Sequence, residues 1–83
     1  INRKRKEKKV MDYPTIDVAA TGSRIDSLRR ENGISVAAMR DYLGLSTTNA
    51  IYKWLRGETL PTLDNVVALS VLFAVTIDDL ILR

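Results

Sequence analysis

Six polar residues gather on one side of a short helical stretch: Thr47, Thr48, Asn49, Tyr52, Lys53 and Arg56. The residues between them, Ala50, Ile51, Trp54 and Leu55, fall at i, i+1, i+4 and i+5 and make one apolar stripe. The polar side therefore carries hydroxyls, an amide, a phenol and two cations, and no carboxylate. That set suits a polyanion lined with base edges. An Asn amide can bridge N6 and N7 of adenine. Thr can bond a base or touch the thymine methyl, and Lys or Arg can take guanine or phosphate. The same composition also describes an ordinary solvated helix face, so the chemistry depends on what positions it.

The positioning unit runs from Ser35 to Gly57. Ser35 and Ser46 are good N-caps, because a hydroxyl accepts from an otherwise unpaired main-chain N–H. They predict a helix over 36–43, a turn at Gly44-Leu45-Ser46, and a second helix over 47–56 closed by Gly57. Two short helices joined by a tight Gly-containing turn are a helix-turn-helix unit. In that unit the second helix enters the DNA major groove. In the first helix Ala37, Ala38, Tyr42 and Leu43 are expected to supply apolar contacts. Ala37 and Ala38 are small enough for two backbones to approach closely. Met39 reads as core filler. Leu45 is expected to point back into the core.

Around this pair the chain offers three further helices. One begins between Asp17 and Thr21, after Tyr13-Pro14, and ends at Asn32-Gly33. It shows Val18, Ile25 and Leu28 on one face. Asp26 and Arg30 stand at i and i+4 and predict a surface ion pair, whereas Arg24 and Arg29 have no obvious partner. After Gly57, Pro61 bars helix continuation and Thr62 caps a helix with Asp64 in its first turn. Its run of Val66, Val67, Leu69, Val71, Leu72 and Phe73 predicts burial on most sides. Thr76 caps a last short helix, with Asp79 in place of the usual Glu of a capping box. Ile77, Leu80 and Ile81 either pack onto the first helix or form a dimer contact.

Composition narrows the function classes. The 83 residues allow one small domain with a thin core. There is no Cys and no His, which excludes disulfides and thiolate metal sites and removes the commonest general base. Asp78-Asp79 are explained as helix-start residues, so catalysis is not expected, nor is any metal or cofactor. No apolar run approaches the ~18 residues of a membrane span, and no signal peptide is visible. A cytoplasmic, nucleoid-associated protein is the expectation. The net charge of +3 misleads, because residues 1–10 hold six basic residues and one acid, a net +5. Residues 11–83 hold seven basic and nine acidic residues, a net −2. Residues 1–12 are expected to be a disordered basic tail, either a DNA arm or a remnant supplied from upstream, and 13–83 the folded domain. A case for nucleic acid must therefore rest on placement rather than total charge.

The order of these pieces resembles the Xre/Cro-like, phage-repressor-type helix-turn-helix domains. The resemblance is carried by Arg24-Ile25-x-x-Leu28-Arg29, Gly33-Ile34-Ser35, Leu43-Gly44-Leu45-Ser46, Ile51 to Gly57, Leu60-Pro61-Thr62 and Ile77-Asp78-Asp79-Leu80. It runs from about Asp17 to Leu82. It implies an all-α, compact five-helix domain that binds double-stranded DNA, commonly as a homodimer on paired half-sites. It implies a bacterial or phage transcriptional regulator, with repression the expected mode. Thr47, Thr48, Asn49, Tyr52 and Lys53 become the base-reading set, and Arg24, Arg40, Arg56 and Ser35 the phosphate contacts. Three departures stand out. Val36 occupies a position where the family often has Gln, and Leu55 one where it often has Glu. The segment from the turn to the recognition helix is also one residue longer than the commonest form. The alternative function is a protein-interaction or antitoxin-like module on the same fold, working through the apolar C-terminal helix.

Overall fold

The computed structural model describes residues 13–83. The basic stretch and Met11 lie outside the described residues. Five helices follow in order: α1 (Val18–Glu31), α2 (Val36–Leu43), α3 (Asn49–Leu55), α4 (Leu63–Phe73) and α5 (Ile77–Leu80). There is no strand among the described residues, so the fold is all-α, as the resemblance implies.

Side-chain oxygens set most of the helix starts. Asp17 accepts from the Ala20 N–H at 2.9 Å, Ser35 from Ala38 at 3.0 Å, Thr62 from Asn65 at 3.4 Å and Thr76 from Asp79 at 3.1 Å. Each removes one orphan donor from a helix N-terminus. The exception is α3. Ser46 does not cap it, and the helix begins at Asn49, not at Thr47. Thr48 takes the cap position without a side-chain bond, and the Thr47 hydroxyl accepts from the Asn49 N–H at 3.3 Å. The longer connection thus winds as bends over residues 46–48 before helical hydrogen bonding starts.

The core gathers Ile25 and Leu28 of α1, Met39 of α2, Ile51 and Trp54 of α3, Val66, Leu69 and Phe73 of α4, and Leu80 of α5. The tightest helix pair is α1 on α3, and a glycine makes it possible. A Cβ at Gly22 would overlap the main-chain carbonyl oxygen of Trp54. Behind it, Gly57 takes φ 74°, and a Cβ there would meet Ala19 Cα at 2.8 Å. Two glycines therefore let the end of α3 lie directly on the first turns of α1.

The two ends of the helical unit meet. The Asp17 N–H donates to the Leu82 carbonyl at 2.8 Å. The fully buried Thr21 hydroxyl accepts from the Leu82 N–H at 3.0 Å and donates to the Leu82 carbonyl at 3.4 Å.

Three expectations from the sequence are corrected. Ala37, Ala38 and Tyr42 are exposed, and Met39 alone of α2 is fully buried. The close backbone approach is made instead by Gly22, on α1. Helix α4 is buried on one side only. Val66, Leu69 and Phe73 face inward, while Leu63 and Val71 are 76% and 67% exposed. Helical period explains this, since 67 and 71 are turned away from 66, 69 and 73, and Leu63 sits in the open first turn. Arg29 does have a partner. It bonds Asp26 at 2.7 Å and the Ile34 carbonyl at 3.1 Å, so Asp26 is shared between Arg29 and Arg30.

Candidate nucleic-acid interface

The turn between α2 and α3 begins at Gly44, whose φ of 71° lies in the left-handed region that a Cβ disfavours. Its N–H bonds back to the Asp41 carbonyl at 3.2 Å, and the Leu45 N–H to the Arg40 carbonyl at 3.0 Å. Leu45 packs against the core, which fixes where the chain restarts as α3.

On α3 the two faces are cleanly separated. Ile51 and Trp54 are buried, with Ala50 and Leu55 packed beside them. Asn49, Tyr52, Lys53 and Arg56 are exposed and follow the spacing i, i+3, i+4, i+7. They form a line along the outer face. Tyr52 keeps 45% of its surface open, so its ring and hydroxyl are available on that face. Thr47 is exposed and Thr48 half-buried, both in the bend before the helix. The structure brings together four of the six polar residues on one helical line. Thr47 and Thr48 stand at its N-terminal edge.

The residues expected to contact phosphate are scattered more widely. Ser35 is exposed at the start of α2, its oxygen engaged with the Ala38 N–H. Arg40, also on α2, pairs with Asp41 at 2.9 Å. Arg24 is drawn to the opposite seam. Its Nε donates to the Asp79 carbonyl at 2.8 Å, which ties α1 to α5 and not to the α2–α3 unit. Arg56 Nε donates to Glu58 Oε2 at 2.6 Å. That bond raises the Arg56 guanidinium above its ordinary value. It also holds the Glu58 carboxyl below the usual carboxylate range, helped by the charges of Arg56 and Lys53. Glu58 lies beyond the helix, so a helix-face reading overlooks it. Its two-residue spacing from Arg56 was the available signal.

Leu80 is fully buried and packs into this chain's own core, which takes it out of any contact with another copy. Ile77 is 41% exposed and Ile81 half-buried. Both line a groove of about 610 Å³ together with Leu60, Pro61, Leu63 and Val66.

A helix-turn-helix family model (HTH_3, Xre/Cro-like) matches residues 25–80, which spans α2, the turn, α3 and α4 whole. The chain belongs to this helix-turn-helix family. Membership makes it a non-enzymatic, DNA-binding transcription regulator whose partner is double-stranded DNA. Among solved structures, the family member is similar to the restriction-modification controller protein C.AhdI from Aeromonas hydrophila. The TM-score is 0.68 at 23% identity, over 77% of this chain and 96% of that one. The likeness establishes a shared fold. No curated protein matches the chain. Among the described residues, no helix is long and apolar enough to cross a membrane.

Proposed function

We propose that this helix-turn-helix protein reads a specific DNA sequence with α3 in the major groove. Asn49, Tyr52 and Lys53 meet base edges along the outer line of the helix, with Thr47 and Thr48 at its entry. Arg56 engages phosphate at the far end, and Ser35 and Arg40 engage it from α2. Arg24, bound to α5, contributes only if that bond exchanges. The observation that carries the reading is the exposed line Asn49, Tyr52, Lys53, Arg56 opposite the buried Ile51 and Trp54. A helix anchored by one face offers the other rigidly to a groove. Repression, by occupying the site, is the regulatory mode we propose. The similar restriction-modification controller protein agrees with a regulator, whichever direction it works in.

The assembly we propose is a homodimer on paired half-sites, with Ile77 and Ile81 and the groove they line as the contact. Two such units require half-sites about 34–36 Å, or a multiple, apart. Fluorescence anisotropy on a duplex selected from a random pool, against an unselected duplex, tests the reading. Specific binding at least ~10³-fold tighter supports it. A folded protein that binds neither duplex at low salt sinks it. Ile77→Glu, at an exposed position, should give a monomer in sedimentation and lose preference for paired over single half-sites.

One observation favours a second reading, a protein-interaction or antitoxin-like module. Leu63, Val67 and Val71 form an exposed apolar line on α4. Leu63 also lines the groove beside Ile77 of the C-terminal helix, so this line adjoins the proposed dimer contact.

A further inference from the structure

The carboxylate nearest the α3 line comes from outside the helix. Glu58 Oε2 accepts from Arg56 Nε at 2.6 Å, and both side chains are about half open to solvent. The main chain of Glu58 cannot swing aside. Its N–H donates to the Lys53 carbonyl at 2.9 Å, and the residue before it, Gly57, is wedged at φ 74° against Ala19. The Glu58 backbone is therefore fixed at the C-terminal edge of the polar line, with its carboxylate on Arg56. The helix itself carries no acid, so Glu58 is the anion that stands at the end of the α3 line, as Asp41 stands beside Arg40 on α2.

We propose that Glu58 is a built-in competitor with DNA phosphate for Arg56, an inference that rests on α3 being the DNA-facing helix. A guanidinium paired to a carboxylate through Nε keeps its charge but has it offset by the neighbouring anion, and one of its directed donors is engaged. A phosphate that approaches Arg56 must exchange with the carboxylate or bind beside it. Either route removes most of one phosphate contact from the gain on binding any duplex. Residence on unmatched DNA is shortened, and base-edge bonds from Asn49 and Tyr52 become the larger share of what holds a matched complex. The carboxylate thus tempers a face that would otherwise bind duplex through charge alone.

The test is a double-mutant cycle on an unselected short duplex, read by anisotropy at stepped KCl, with wild type, Glu58→Gln, Arg56→Ala and the double variant. Circular dichroism confirms folding, which substitutions at these exposed positions leave intact. Glu58→Gln should bind about fivefold tighter at low salt, and its plot of log K against log salt should steepen by about 0.9, one phosphate's worth. In the Arg56→Ala background the same substitution should gain less than about twofold. Equal affinity of wild type and Glu58→Gln overturns the inference. So does an undiminished gain without Arg56, which would mean simple repulsion of the duplex. Failure of all four folded proteins to bind duplex at low salt overturns the DNA reading itself, and this inference with it.

Discussion

Gly22 lies so close to the main-chain carbonyl of Trp54 that no side chain fits between them. Helices α1 and α3 meet there backbone to backbone. The direction in which Asn49, Tyr52 and Lys53 face depends on that contact, together with the packing of Ile51, Trp54, Ala50 and Leu55.

Gly22→Ala should therefore destabilise the domain by about 1–3 kcal/mol, the usual cost of overpacking. Helix propensity alone would predict the opposite, a gain of about 1 kcal/mol for Ala over Gly. The sign of the change in a urea melt decides which effect wins.

Thr21→Val keeps the shape of the buried side chain and removes its hydroxyl. The Leu82 N–H then has no hydroxyl to donate to. A loss of about 1–3 kcal/mol is expected. Hydrogen exchange should report it locally, with Leu82 deprotected more than the core amides of α3.

Asn49→Ala and Lys53→Ala should separate sequence reading from charge. Asn49→Ala is expected to cost about 1–3 kcal/mol at one base position of the selected site and little on unselected duplex. Lys53→Ala should weaken the selected duplex more than the unselected one if Lys53 meets a base edge, whereas equal weakening of both, with the salt dependence flattened by about one unit, would assign it to phosphate instead. Equal, sequence-blind losses from the two variants would refute base reading by Asn49.

Ala74 ends α4 with φ 56°, the only non-glycine residue with positive φ among the described residues. A left-handed Ala carries a steric cost of about 1–2 kcal/mol that Gly avoids. Ala74→Gly should stabilise by up to about 1 kcal/mol after the larger chain entropy of Gly is subtracted. The melting temperature should rise by a few degrees, measurable by calorimetry.

Local chemistry was readable in the sequence, and contacts between distant segments were not. Asp17, Ser35, Thr62 and Thr76 act on amides three residues away, so their roles follow from residue type and position. The apolar stripe of α3 is likewise a matter of period. The late start at Asn49 escaped because Ser46 is a plausible cap whose geometry depends on how Leu45 reaches the core. Gly22 escaped because its neighbour is Trp54, and nothing in a helical run of small residues names the helix that will press on it. Arg29 seemed unpaired because Asp26 was assigned to Arg30, although a carboxylate has room for both. The outward face of α4 was misjudged because composition counts apolar residues and does not say on which side they stand.

Asp17 and Leu82 share a hydrogen bond, so the helical unit begins and finishes at one place. Its five helices are close to a closed ring, cut at that point. A short Gly-Ser bridge between these ends, with new ends opened at the exposed Asn32-Gly33 turn, would reorder the helices along the chain and leave the α2–α3 pair uninterrupted. Helix order along the chain is thus separable from the geometry that presents the recognition helix.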